Sequence, residues 1–522
     1  MIVNPNSDII LYSGMPLDDT YTDTLYFANI GAQTSFFTSG NTYEKRRFTA
    51  NTYQRVNEGV FDANCLADEI YDCNYMAFRN TNFGTKWFYA FINRVEYVNN
   101  GMARVTFTID SLQTYLFDCT LEECMVEREH SATDALFSNI LPEPISLGEY
   151  EFDNYIPLEF ASVDGVSVYE SDICVQYVDD DEGMISGGGM WGNIFVGTGF
   201  KAFTTTWAGQ DNCRAFLNSY IQKPDSIVNV YMAPHYITMG TESGDPAQRF
   251  NPPTTTMHFP DGYFRYIDGY EVINNKIFTY PYCFLHMDNS NGRSLALRYE
   301  FFSGEPNFVI LGSAITPVQL TLAPTNYKKS ANGETLFTEC ITLDEYPLCS
   351  WNYDTYRAWV AQNSVPLNLK QLGEVIGAGG QLLGGNVGGF VSGIGNAFLS
   401  QEIAYYKASI QADTIRGNTS NGNALFYEGA LKFRYARCRQ PLEIIKTVDD
   451  FFTMYGYTTN RVKVPNRAVR PHWTYCKTAG AKVIGRCPTE DLKKICSIYD
   501  SGITWWRDAS EVGNYSLDNR PT

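Results

Sequence analysis

The pattern of apolar and polar positions divides this chain into strand-like stretches broken by turn signals, a few helical stretches, and one segment of neither kind. Near the start, LYFANI (25–30), KWFYAFINRVEYV (86–98) and ARVTFTI (103–109) are aromatic and β-branched with partial alternation, which predicts strands. Asn99-Asn100-Gly101 between the last two is a hairpin signal. Strand patterns return in SIVNVYM (226–232), FTYPYCFLHM (278–287), LALRYEFF (295–302) and NFVILG (307–312), with prolines at 252–253 as breaks. Helices are predicted from Asp211 through CRAFLNSYI, over DTYRAWVAQN from Asp354, and over the Ala-bearing EIAYYKASIQADTI at 402–415. Two more are predicted near the end. One starts with Pro441 in its first turn and stops at Gly456; the other is capped at Thr489 with acids in its first turn and stops at Gly502.

The segment that fits no soluble element is 375–401, VIGAGGQLLGGNVGGFVSGIGNAFLSQ. Its 27 residues carry no charge and nine of them are Gly. The glycines fall in two four-residue series, with Gly377 ahead of them. One series is Gly380, Gly384 and Gly388; the other is Gly385, Gly389 and Gly393. As a helix the segment is long enough to span ~30 Å of hydrocarbon. Small residues at every fourth position let helices approach closely in lipid. In water the same glycines make a poor helix, at about 1 kcal/mol each relative to Ala. An ordinary linker is more polar and Ser-rich, and Gly dilutes the hydrophobicity below that of a Leu-rich anchor. Two readings of the residues stay open: a hairpin buried in a large core, and a loop that becomes membrane-active on release. On the second, the apolar set is Ile376, Leu382, Leu383, Val387, Phe390, Val391, Ile394, Phe398 and Leu399. GNTSNGN at 417–423 reads as a polar hinge beyond it.

Composition adds that 522 residues, 44% hydrophobic and 19% charged, form a folded chain of more than one domain. With 36 Tyr and 33 Phe, the balance favours β-structure. The expected fold is mainly β (α+β), with β-sandwich or β-barrel modules, a few short helices and a long apolar Gly-rich loop. The expected segments are 1–155 and 156–350, both β-rich, then 351–423 with a helix and the apolar loop, then a mixed 424–522. A net charge of −19 argues against a nucleic-acid-binding surface. The opening MIVNPNSDIILYSG lacks a basic region followed by a clean apolar run, so folding in the cytoplasm with reduced thiols is expected. The thirteen cysteines are scattered with no CxxC pair and read as buried thiols.

Catalytic patterns are sparse. None of the five histidines, His130, His235, His258, His286 and His472, lies in HExxH, and neither GxSxG nor a P-loop occurs. Gly377 and Gly379 begin a GxG that fails as a dinucleotide fingerprint at Leu382. Asp179-Asp180-Asp181-Glu182 lacks the ligand spacing of an EF-hand and reads as a solvated loop. VEREH at 126–130 crowds Glu127, Glu129 and His130; the plain reading is a charged strand edge. No catalytic, cofactor or metal residue is assigned.

Several motifs occur together: GTKWFYAFI (84–92), FTIDSLQTYLFD (107–118), VEREH (126–130), YPYC (280–283), FFTMYGYTTNRVKVPN (451–466), and YDSGITWWRD with GNYSLDN (499–519). In these the chain resembles the distal tail knob proteins of small short-tailed bacteriophages with protein-primed linear genomes. The resemblance is specific in the first 130 and last 75 residues. It implies a non-enzymatic virion protein at the tail tip, a homohexameric tube whose partners are its own copies, the other tail and collar proteins, the host cytoplasmic membrane, and phage DNA passing through without sequence-specific binding. It further implies that loops matching roughly 367–423 plug the tube and later leave it to perforate the membrane. Six copies of a −19 chain carry a formal −114, which suits a conduit DNA slides through. The alternatives are a tail-associated cell-wall hydrolase and a receptor-binding adhesin. A hydrolase has no need of the charge-free segment, and the chain shows no fibre repeats.

Overall fold

The computed structural model describes residues 6–51, 59–80, 84–143, 145, 148–162, 165–177, 190–191, 194–195, 199–220, 227–238, 252–313, 318–328, 339–343, 346, 348–352, 416–420 and 432–521. The expected helices at 354–363 and 402–415, the apolar segment 375–401 and the acidic run 179–182 lie outside these residues. The described residues are mainly β, with few helices. They fall into two units. The first takes Met1–Leu147, Phe264–Ile277 and Leu442–Thr522; the second takes Gly148–Tyr263 and Phe278–Pro441.

The first unit rests on a six-stranded antiparallel sheet in the order Glu44–Asn51, Ser7–Ser13, Cys73–Asn80, Phe88–Asn99, Met102–Ile109, Val60–Ala63. Its central strands Ser7–Ser13 and Cys73–Asn80 carry apolar runs because both of their faces are covered. Ile9, Leu11, Met76 and Ala90 point to one core, while Ile10, Tyr12, Tyr75, Ala77, Tyr89 and Phe91 point to another. The predicted hairpin is present: Asn99 pairs with Met102, and the Gly101 N–H donates to Asn99 Oδ1 at 2.9 Å. A second sheet has the order Asp23–Leu25, Ile503–Trp506, Trp473–Ala479, Cys124–Glu129, Tyr457–Lys463. Its Trp473, Trp505 and Trp506 join the same core as Tyr12 and Phe37, so the two ends of the chain share one interior.

The local readings hold at the glycine stops but not at the Thr489 cap. The helix Leu442–Tyr455 ends at Gly456, whose φ of +65° suits glycine. The helix Thr489–Ser501 stops at Gly502. Thr489 is its first helical residue, with Pro488 in the cap position. LYFANI departs further from expectation. Only Leu25 belongs to a strand, because Asn29 accepts the Ala32 N–H at 2.8 Å and caps a helix over Ile30–Thr38.

The second unit holds two five-stranded sheets and one of four strands. One runs Gly199–Thr204, Ser171–Tyr177, Ile227–Pro234, Leu348–Asn352, Arg416–Ser420. Residues 417–420, expected as a hinge, are thus an edge strand paired antiparallel with 348–352. A neighbouring strand satisfies their backbone, and polar side chains do not prevent this at an edge. The helix expected from Asp211 begins a turn earlier, at Trp207, because Thr206 accepts the Gly209 N–H at 3.3 Å; Asp211 lies inside it, paired with Arg214 at 3.2 Å. FTYPYCFLHM is a strand only over Cys283–Asp288, and LALRYEFF gives Ser294–Leu297 followed by a 3-10 turn over Tyr299–Phe301.

Gly456→Ala is expected to destabilise the first unit by about 3 kcal/mol or more, since the left-handed backbone adds strain of roughly 1–3 kcal/mol to a steric clash. A Cβ there would meet Glu129 O at 2.2 Å. Gly513→Ala, also at positive φ (+82°) but with nothing within 4 Å, is expected to lose only about 1 kcal/mol. Urea unfolding of both variants checks the difference.

Candidate functional site

The candidate membrane-active residues all lie outside the described residues. This holds for the apolar side chains Ile376, Leu382, Leu383, Val387, Phe390, Val391, Ile394, Phe398 and Leu399. It holds equally for the glycines Gly377, Gly380, Gly384, Gly385, Gly388, Gly389 and Gly393. Among the described residues no helix is long and apolar enough to cross a membrane. No group of three or more His, Cys, Asp or Glu residues there is placed to hold a metal ion. The densest chemistry that the described residues bring together is a buried polar seam in the first unit, built around VEREH and the segment 264–277.

VEREH is a correction to the sequence reading. Its strand lies inside the sheet, between Trp473–Ala479 and Tyr457–Lys463, and not at an edge. Glu127 alone keeps the expected character, as a half-exposed partner of Lys477 at 3.1 Å. Glu129 is 4% exposed and takes the Lys463 ammonium at 2.6 Å and the Asn466 N–H at 3.0 Å. His130 is 2% exposed. Its Nδ1 accepts the Tyr475 N–H at 2.8 Å, which leaves Nε2 to donate to Thr453 O at 3.1 Å. Burial, with Arg470 nearby, pushes its pKa down to about 3. A neutral ring with both nitrogens bonded to backbone is a structural tie between the sheet and the 442–455 helix. It has no lone pair left for a substrate proton.

Arg128 leads to a residue that the sequence reading missed, Glu143. Its side chain is fully buried and receives ion pairs from Lys276 and Arg128. The Thr458 N–H donates at 2.9 Å and the Thr458 hydroxyl at 2.6 Å. Burial alone would raise this carboxyl, but the Lys276 charge and the hydrogen bonds outweigh it and hold the pKa below the usual range. Arg128 also donates to Gly456 O at 2.7 Å and stacks 4.6 Å from the Phe451 ring centre. Nothing in the pattern around Glu143 marked it, because its partners lie 15, 133 and 315 residues away.

Asp449 completes the seam. It accepts the Tyr270 hydroxyl (2.9 Å), the Ile273 N–H (2.8 Å), the Asn274 N–H (2.9 Å) and the Asn274 amide (2.8 Å). Burial keeps its pKa above the usual value even so. Asn274 also bonds Thr453 (2.8 Å) and receives the Tyr457 hydroxyl (3.1 Å), which is shared with Asp134 (2.8 Å). The arrangement clamps 270–277 and 134–143 onto the C-terminal helix and strand. The second unit carries a counterpart on the strand Arg434–Arg439: Arg434 pairs with Asp288 (2.8 Å), and Arg437 (2.7 Å) and Arg439 (2.9 Å) share Asp153. These are fixed, internally neutralised groups, and their chemistry is that of joints.

Glu143→Gln is expected to destabilise the first unit by about 3–5 kcal/mol, since two buried cations lose their anion. The pH dependence follows from the lowered pKa. The contribution of Glu143 is complete above the ordinary carboxylate value of about 4.3 and is lost as pH falls below it through the folded value. Thermal melts between pH 7 and 3 should show a loss in the wild type that is smaller in Glu143→Gln.

Comparison with known proteins agrees with a structural role. Residues 247–520 match the family model described as the Bacillus phage phi29 tail knob protein gp9, C-terminal domain. Residues 5–120 match the Caudoviral major tail protein N-terminus. The chain is 25% identical to the tail knob protein gp9 of Bacillus phage B103, 24% to that of phage PZA and 22% to that of phage phi29, in each case over 98% of both chains. Its fold is like that of the bacteriophage C1 tail knob protein gp12, with a TM-score of 0.64 over 98% of this chain and 99% of that one, at 13% identity. These relatives are named as structural tail proteins and not as enzymes. The gp9 match takes in Lys276, Asp449, Tyr457 and the arginine strand, and it runs over more than half of the sequence, so this chain belongs to the tail knob gp9 family.

Proposed function

We propose that this structural tail knob protein, a component of the virion tail, forms the distal tail tube through which DNA leaves, and that residues 375–401 plug the channel until they enter the host cell membrane. The observation that carries the second half is the charge-free 27-residue segment with its two glycine series. Buried ion networks that brace each unit suit a protein that must stay folded while DNA passes. The net charge of −19 suits a wall that does not hold a polyanion. Self-association into a closed ring, six-fold in this reading, needs interfaces that rotate shut, and closure hides strand edges such as Tyr457–Lys463. The other partners are the neighbouring tail and collar proteins.

In the stored state the apolar side chains of 375–401 are hidden, most simply against the same segment of other copies. Burying each contributes roughly 1.5–3 kcal/mol, so a trigger or a lipid phase must replace that packing. In hydrocarbon the backbone must be fully hydrogen-bonded, hence helical. The stripe of Gly380, Gly384 and Gly388 and the stripe of Gly385, Gly389 and Gly393 then allow close helix packing in a pore.

Dye leakage from liposomes tests this reading with three proteins: wild type, a deletion of 375–401, and the double variant Gly384→Leu, Gly388→Leu. The deletion should assemble and leak nothing, while the double variant should bind vesicles and leak less than wild type. Equal leakage from wild type and the deletion rejects the membrane role. A stable monomer at high concentration, with no ring class in negative-stain images, rejects the tube.

A further inference from the structure

Two thiols that the tail knob reading leaves unused face each other in the first unit. Cys119 begins the short strand Cys119–Leu121, which pairs antiparallel with Val483–Gly485, and Cys487 follows two residues later. The sulfurs are 3.2 Å apart. A disulfide bond is about 2.05 Å long, so closure needs an approach of only about 1 Å. The site is built for it. A Cβ at Gly485 would lie 2.5 Å from Asp118 O and 2.7 Å from both Cys119 Cα and Cys119 Sγ, so glycine lets the two strands and the thiol come this close. The Arg486 N–H donates to Asp118 O at 3.1 Å, so backbone pairing continues to the residue beside each cysteine. Both thiols are half-buried, within reach of a small oxidant, whereas Cys174, Cys283 and Cys476 are fully enclosed.

We propose that Cys119 and Cys487 are an oxidation site that closes to a disulfide once the virion has left the host cell. A virion protein is assembled where thiols are kept reduced and then works in an oxidising medium. The oxidant is a small disulfide such as oxidised glutathione. One protein thiolate attacks it and expels a glutathione thiolate. The second protein thiolate then attacks the mixed disulfide and expels the other. Two protein S–H bonds and one glutathione S–S bond are lost, one protein S–S bond and two glutathione S–H bonds form, and two electrons pass to the oxidant. Burial and the neighbouring Cys487 push the Cys119 thiol up to about 12, so its thiolate is scarce and closure by exchange is slow.

The bond would join positions 368 residues apart. Every residue of the second unit, 148–263 and 278–441, lies between them in sequence, as does 375–401. Among the described residues, the N- and C-terminal parts of the first unit are held by non-covalent contacts: sheet pairing, the common core, the polar seam and side-chain bonds such as Ser111–Asp491 (2.6 Å) and Trp506–Asp23 (2.6 Å). Oxidation would fasten them covalently, so the first unit stays closed when the chain between them is pulled or moved.

The test uses the whole protein, purified reduced and then treated with oxidised glutathione. Expected are two thiols fewer than the thirteen titrated after denaturation, a Cys119–Cys487 cross-linked peptide in a non-reducing digest, and a Tm about 5–10 °C higher. A protease nick between 148 and 441 should leave fragments that stay joined in non-reducing denaturing gels. Cys119→Ser and Cys487→Ser should each abolish all of these effects; if either fails to fold, the wild-type peptide map still decides. A map in which both thiols remain alkylatable, or in which the bridge joins other cysteines, overturns the proposal.

Discussion

The first unit depends on the pairing of strand Cys124–Glu129 with two strands that come more than three hundred residues later. Tyr457–Lys463 lies on one side of it and Trp473–Ala479 on the other. The contacts of Glu129 with Lys463 and Asn466 span 334 and 337 residues. Loop-closure entropy grows only slowly with length, so such a separation is tolerated if the closing contacts are strong. Here they are: three buried tryptophans from the C-terminal part pack in one core with Tyr12, Phe37, Tyr75 and Tyr89.

The polar seam makes that closure specific. Hydrophobic burial is non-directional, whereas a carboxylate with several fixed donors is not. Glu143 fits only where Lys276, Arg128 and Thr458 converge, and Asp449 only where the backbone of 273–274 presents its N–H groups. The segment 264–277 is short and leaves the first unit again at once. Ile267, Val272 and Ile277 bury its apolar side, and Asp449, Asn274 and Lys276 fix its position.

Such an interior suits a structural virion part. Charges that appear catalytic in one dimension, VEREH above all, are neutralised in three, and burial keeps His130 uncharged while two backbone bonds hold its ring in place. The arginine strand of the second unit repeats the principle with Asp153, Asp288 and Glu151. Within each unit these joints bind the packed elements one to another.

What the sequence by itself determined is what local forces determine: the β-rich class, the 99–102 hairpin, the glycine stops at Gly456 and Gly502, and a run of motifs specific enough to carry a family. Where a nearby polar side chain competed with the apolar pattern, the reading slipped by a turn or changed type, as at Asn29 and Thr206, because one capping bond outweighs a weak propensity. Tertiary structure alone decided that VEREH is interior, that Glu143 is an anchor, that 417–420 adds a strand, and that Cys119 meets Cys487. Each depends on partners tens to hundreds of residues away, and a burial pattern read along one strand records that a position is covered without recording what covers it.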